Sequence, residues 1–314
     1  MSAAAPARPP RWRNLRDETR WAYVFLLPWL IGLVVFQLGP MIASLVLSFT
    51  DYDLIGAPRF TGLDNYTAMA QDPKVARAVG NTLLYTVTHV PLSIAIALAL
   101  ALLLNRVTGR AAGVFRTIFY LPSMTPHVAV GVLFLFLLNG QAGVLNGFLA
   151  LFGVEGPQWT TDPDWMLTGI VLMSLWNLGS TTIILFAALR NVPRELSEAA
   201  MIDGAGPWQR FRSITVPMIS AALFFVVIIN TITSLQMFDQ VYTMFFGSQS
   251  AREGYGDAAL FYVVYLFQQA FQFLHMGYAS ALAWLLFLVI ALITVVQVKV
   301  GNRLVHYEAE ENSR

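Results

Sequence analysis

Cysteine is absent from the 314 residues and charge is scarce. Without thiols the chain can build neither a disulfide framework nor a thiolate metal site. Asp, Glu, Lys and Arg make up 12% of the residues, against about 25% in soluble globular proteins. Lysine is nearly missing: Lys74 and Lys299 stand beside 17 arginines, a bias found in GC-rich bacterial genomes. The net charge of +1 provides no field for nucleic acid. Also missing is any G-x-x-x-x-G-K-[ST] loop, so the chain does not cradle nucleotide phosphates itself. No pair of carboxylates, His/Asp cluster or activated Ser stands at a spacing diagnostic of an enzyme.

What is present is apolar length. Hydrophobic residues make up 57% of the chain, and the mean hydropathy is +0.61. A spanning helix needs about 20 apolar residues, because the hydrocarbon core is roughly 30 Å thick. Six stretches qualify, at residues 22–48, 79–104, 115–138, 166–189, 214–238 and 277–298; Arg116, at the edge of the third, is their one charged residue. Backbone amides in lipid must bond within their own segment, so each stretch is read as a helix. The expected fold is an all-α integral membrane protein with six transmembrane helices. Residues 1–20 form a basic arm, rich in Ala and Pro and disordered at its start. The membrane domain covers 21–300, and 301–314 is a short tail. The first stretch is too long for a signal peptide and no small-residue cleavage site follows it, so it is expected to remain as an uncleaved span.

Orientation follows from Lys and Arg in the loops. Arg8, Arg11, Arg13, Arg16 and Arg20 precede the first span. Arg106, Arg110 and Arg116 follow the second, and Arg190, Arg194, Arg210 and Arg212 the fourth. Lys299, Arg303 and Arg314 follow the sixth, which places 15 of the 19 basic residues on one side. Only Arg59, Lys74, Arg77 and Arg252 lie on the other. Both termini and the loop between the fourth and fifth spans are therefore expected in the cytoplasm.

Two long external segments run from Asp51 to Ala78 and from Asn139 to Trp165. In the second, Val144, Leu145, Phe148, Leu149 and Phe152 recur at helical spacing and predict an interfacial helix. Ala258 to Val298 is an uncharged run of 41 residues, divided by Gln268, Gln269, Gln272 and His275. An external amphipathic piece before the last helix is the expectation. A seventh span there would put the basic C-terminus outside. No internal repeat is evident.

The cytoplasmic loop 191–217 carries the most specific pattern. Asn191 is expected to cap a helix that begins with Val192 and Pro193. Glu195 and Glu198 lie near its positive end, Ala199 and Ala200 leave a low surface, and Gly204 is placed to stop the helix in a left-handed conformation. Pro207 begins a second short helix whose Phe211 and Ile214 are expected to pack on the first, and Pro217 marks entry into the fifth span.

The segment EAAMIDGAGPWQRFRSITVP, with Glu198-Ala199-Ala200, Asp203-Gly204-Ala205, Trp208, Phe211 and the terminal Ile214-x-Val216-Pro217 in register, resembles the EAA loop of ABC importer permeases. Val216 departs from the pattern, standing where that family usually has Leu. The similarity continues through FTGLDNY, NTLLYT, FRTIFYLPSMTP, GVLNGFLALFG and YLFQQAFQFLHMGYASALA, roughly residues 20 to 300. It points to the carbohydrate-type permeases that import maltose, other oligosaccharides and glycerol phosphate. The resemblance implies a type I importer permease fold in a bacterial plasma (inner) membrane. It implies a second, homologous permease chain, an ATPase dimer on the cytoplasmic side holding ATP and magnesium, and an extracytoplasmic sugar-binding protein. Ala205, Ile214 and the other EAA-loop residues would then couple ATP hydrolysis to the spans.

A sugar path needs hydrogen-bonding groups and aromatic faces turned from lipid. The fourth span offers Trp176 and Ser180 on one face and Asn177 and Thr181 on another. The fifth offers a stripe of Asn230, Thr233, Ser234, Met237 and Gln240 with Asp239 near its outer end, and the sixth offers Tyr278. Taken singly, such residues more often glue helices together. His89 and His127 lack an acidic partner on their own helices, which favours helix–helix hydrogen bonds over proton relay. Pro28, Pro40, Pro91, Pro122 and Pro126 are expected to kink helices. The competing class, a proton- or sodium-coupled secondary transporter, keeps an ionisable residue at membrane depth, and the predicted span centres contain none.

Overall fold

The computed structural model describes residues 13–107, 109–247 and 257–304. Residues 1–12 and 305–314, with the expected disordered start and most of the tail, lie outside the described residues, as does Arg252. Four helices are long and apolar enough to cross a membrane, and six spans result when each of two bent pairs is taken as one. No further span falls between Leu260 and Leu274 among the described residues, so the piece before the last helix is separate and these residues form no seventh span.

The first span begins earlier than its hydropathy predicts. Helix Arg13–Leu33 takes in the second half of the basic arm, passes through a π-helical turn at Val34–Leu38 and continues as Gly39–Leu47. The wide turn has a local cause. Pro40 has no N–H to give the preceding turn, and the Gly39 N–H reaches back five residues to the Val34 carbonyl. Pro28 lies inside continuous helix. Apolar side chains on this span, Phe36 among them, stay uncovered by the rest of the chain, as expected where lipid is the solvent.

The second span, Pro73–Arg106, is the axis of the bundle. Asp72 caps it by accepting the Lys74 N–H at 2.9 Å. Its 34 residues reach about 51 Å at 1.5 Å per residue, well beyond the hydrocarbon, and Pro91 does not break it. Ala97, Ala101 and Leu104 form one stripe against Leu185, Phe186 and Leu189 of the fourth span and Val226 of the fifth. Small residues permit this close backbone approach, and packing rather than water exclusion holds it in lipid.

The third, fourth and fifth spans are not the single helices that hydropathy suggests. In the third, Ala111–Met124 and His127–Leu137 meet at 96°. The cause is the pair Pro122 and Pro126: a residue before proline is pushed out of helical conformation, and Thr125 is extended with ψ 130°. In the fourth, Pro163–Asn177 and Gly179–Arg190 bend by 50° after a 3-10 turn at Leu175–Asn177. Gly179 permits the close approach of the third span there, because a Cβ would stand 2.4 Å from the Phe119 carbonyl oxygen. The fifth is shifted outward: its helix runs from Ser220 to Leu235, breaks at Gln236–Phe238 and resumes as Asp239–Phe245. The sixth is Met276–Leu304.

Outside the spans, a two-stranded antiparallel ribbon pairs Thr50 with Phe60 and Asp51 with Arg59, a small β element that the all-α expectation omits. Asp53 folds its turn by accepting the Ile55 and Gly56 N–H groups. A helix is present at Val144–Ala150 and ends short of Phe152, the last position of the predicted one. Before the sixth span, Tyr262–Phe267 packs against the second span, and a π turn at Gln268–Gln272 follows beside the sixth. Asn81 donates to the carbonyls of Asp257 and Leu260, and the Thr82 hydroxyl accepts the Tyr262 N–H.

Candidate functional site

Two regions carry chemistry: the hairpin between the fourth and fifth spans and a cavity where the helix breaks meet. The hairpin begins differently from the expectation. Asn191 terminates the fourth span, with its N–H on the Ala188 carbonyl, and the next helix is Arg194–Ile202 with Pro193 before it. Pro193 fixes its own φ and denies Val192 the helical region, so the helix starts two residues late. Gly204 stops it at φ +84°. The Ala205 N–H returns to the Ala200 carbonyl at 2.8 Å, and the Gly204 N–H to Met201 at 3.1 Å. These bonds form a Schellman closure, in which a left-handed residue satisfies the last carbonyls.

Pro207–Arg210 and a π turn at Phe211–Thr215 make the return leg. Phe211 and Ile214 are half-buried. Phe211 stacks on Trp208 of its own leg, at 5.4 Å between ring centroids. The side-chain bond between the legs is Arg210 Nη1 to Ser197 Oγ, at 3.2 Å. Glu198, Ala199, Asp203 and Gly204 are exposed, Ala200, Ala205 and Pro217 half-buried. Beside them Ile202 is 88% and Trp208 71% exposed. Two large apolar side chains therefore stand bare in a charged loop.

The cavity holds about 450 Å³ and lies where the breaks of the third, fourth and fifth spans converge, bounded by His127, Leu178 and Gln236–Phe238. Irregular backbone is tolerated at membrane depth where it lines such a space. Of the residues predicted for a substrate path, Asn177, Ser180, Thr181, Asn230, Thr233, Ser234, Met237, Asp239 and Gln240 line it. Trp176 and Tyr278 do not. The 3-10 turn at Leu175–Asn177 advances about 120° per residue instead of 100°, so α-helical spacing fails there. Trp176 packs edge-on to Phe134 at 5.9 Å. Tyr278 donates to Asp72 at 2.9 Å, at the start of the second span.

Both histidines serve as bridges between helices. His89 Nδ1 lies 3.1 Å from the Ser234 hydroxyl, and His127 Nδ1 accepts from the Gln240 amide nitrogen at 2.8 Å. Together with Tyr85, Ser174 and Gln236 they also line the cavity. Their polarity within apolar stretches was the available signal, but it does not say which way a helix faces. Asn230 Nδ2 donates to Thr181 Oγ1 at 3.2 Å, while Asn177 Oδ1 is buried without a hydrogen-bond partner among the described residues. No group of three metal-ligating side chains occurs among the described residues.

At the start of the second span, Asp72 anchors a polar cluster. It accepts hydroxyls from Tyr265 and Tyr278; Gln269 donates to Tyr265 at 2.8 Å and its carbonyl oxygen meets His275 Nδ1 at 2.9 Å. Burial pushes the Asp72 carboxyl up, but the Tyr265 hydroxyl, the Lys74 N–H and the Tyr278 hydroxyl outweigh it and hold the group below its usual 3.8. Burial, then the Asp72 contact, pushes the Tyr265 hydroxyl up.

Comparison with known proteins agrees with this architecture. Residues 90–306 match the family model described as binding-protein-dependent transport system inner membrane component. The chain is 37% identical to the probable ABC transporter permease protein YesP of Bacillus subtilis (strain 168), over 95% of this chain and 96% of that protein. It is 34% identical to the lactose transport system permease protein LacF of Rhizobium radiobacter, over 90% of this chain and 93% of that one. Among solved structures, a bacterial ABC transporter involved in the import of the acidic polysaccharide alginate superposes with a TM-score of 0.80 at 24% identity, covering 94% of this chain and 100% of its counterpart, a likeness of fold. The chain belongs to the family of binding-protein-dependent transport system inner membrane components.

Proposed function

We propose that this chain is the sugar-conducting permease subunit of an ABC importer, forming half of a translocation path with a second, homologous permease. The observation that carries the reading is the cytoplasmic hairpin: a helix closed by Gly204 at φ +84°, with Ile202 and Trp208 bare beside it. An ATPase dimer docks there, and Glu198 through Ala205, with Phe211, Ile214 and Pro217, transmit its closure into the fourth and fifth spans. ATP and magnesium belong to that partner, since this chain has no phosphate-binding loop. An extracytoplasmic binding protein delivers the cargo; a solved relative of similar fold is an alginate ABC transporter in complex with a periplasmic protein bound to an alginate pentasaccharide. The sugar class is supported by relatives named for lactose and for arabinooligosaccharides. The arginine distribution supports cytoplasmic termini in a bacterial inner membrane. Within the path, the cavity lined by Asn177, Thr181, Asn230 and Gln240 receives the sugar on its way through.

The test separates docking from conduction. Glu198→Lys in the intact complex is expected to uncouple ATP hydrolysis from sugar uptake while the chain stays in the membrane. Asn230→Leu or Gln240→Leu is expected to depress uptake with the ATPase still attached. Undiminished uptake in Glu198→Lys overturns the docking role, and undiminished uptake in both cavity variants removes the cavity from the path.

A further inference from the structure

We propose that the wall this chain contributes to the cavity selects neutral, hydroxyl-rich glycans against acidic ones, and that Asp239 sets that preference. The inference rests on the sugar-permease reading and gives it a substrate class.

The cavity has no Lys or Arg among its lining residues; its ionisable groups are Tyr85, His89, His127 and Asp239. Three of these are engaged by partners within the wall. Tyr85 donates its hydroxyl to Ser174 at 2.8 Å. His127 Nδ1 lies 2.8 Å from the Gln240 amide nitrogen. His89 faces the Ser234 hydroxyl and stacks on Tyr85, with ring centroids 5.0 Å apart. Asp239 differs. It stands at the break of the fifth span, exposed and lining the cavity, and its backbone carbonyl accepts from the Thr243 hydroxyl. Among the described residues no ion pair or side-chain bond occupies its carboxylate.

An unpaired carboxylate lining the cavity acts on a passing cargo in two ways. Sugar hydroxyls can donate to it. A uronate or sulfonate brings a second negative charge close to the first, and like charges repel. Recognition of such anions calls for Arg or Lys, and this wall supplies neither.

The experiment uses the permease–ATPase complex, purified with its own partner chains into nanodiscs and without the binding protein, so that the membrane path alone is probed. Binding of a panel of neutral mono- to trisaccharides, including lactose, arabinotriose and maltotriose, is compared with binding of trigalacturonate. The expected result is at least about tenfold tighter binding of the best neutral sugar, a difference of 1.4 kcal/mol. Asp239→Asn is expected to tighten trigalacturonate binding several-fold and so narrow the gap, in a complex that still assembles by size-exclusion chromatography. Trigalacturonate binding as tightly as the neutral sugars, or a gap unchanged in Asp239→Asn, overturns the charge selection and leaves the sugar-permease reading standing. A complex that binds no sugar of the panel and, with its binding protein restored, imports none overturns both.

Discussion

One backbone torsion closes the hairpin between the fourth and fifth spans. No atom lies within 4 Å of a Cβ built on Gly204, so the demand for glycine comes from φ +84° and not from space. A left-handed conformation costs an ordinary L-residue about 1–2 kcal/mol and asparagine less. Gly204→Val is therefore expected to lower uptake per ATP hydrolysed, while Gly204→Asn keeps most of it; equal coupling in the two variants refutes the conformational role. Gly277 makes the opposite demand. A Cβ there would stand 1.9 Å from the Thr50 carbonyl oxygen, where the external ribbon meets the sixth span. Gly277→Ala is expected to destabilise the purified complex by about 1–3 kcal/mol, read as a lower unfolding temperature. Gly204 was legible in the sequence because it ends a patterned helix. Gly277 was not, because its neighbour is more than 200 residues away along the chain.

Helices in this protein do their work where they stop. The third span breaks at Thr125–Pro126, the fourth after Asn177 and the fifth at Gln236–Phe238, and one cavity joins all three. Proline made the third break readable in advance. The other two contain no proline at the break, and hydropathy cannot see them. Polar bonds then tie the pieces across spans. A double-mutant cycle on His89→Ala and Ser234→Ala is expected to give a coupling of about 0.6 kcal/mol, the size of hydrogen bonds between membrane helices; zero coupling would deny the bond. The Asp72 cluster makes a pH prediction. A depressed carboxyl stabilises the fold above its ordinary value of 3.8, and that contribution is lost as pH falls through the lower, folded-state value. Wild-type complex should lose thermal stability as pH drops below about 3.8, and Asp72→Asn should flatten that slope.

At the scale of the molecule, the absence of cysteine makes topology directly measurable. Ile202→Cys, at an 88% exposed position, should crosslink to the ATPase, whereas Ile55→Cys, 85% exposed on the external ribbon, should react with an impermeant maleimide added to intact cells. Labelling of Ile202→Cys from outside would invert the proposed orientation. The sequence by itself determined the membrane class, the six apolar stretches and the side on which the arginines gather, because lipid imposes length and charge rules that act on each segment separately. Only the tertiary structure decided which polar side chains meet. Asp239 and Gln240 reach the cavity, Trp176 turns to Phe134 and Tyr278 turns to Asp72. Regular spacing predicts a shared face only along an unbroken helix, and these residues flank breaks or contact segments far away in the chain.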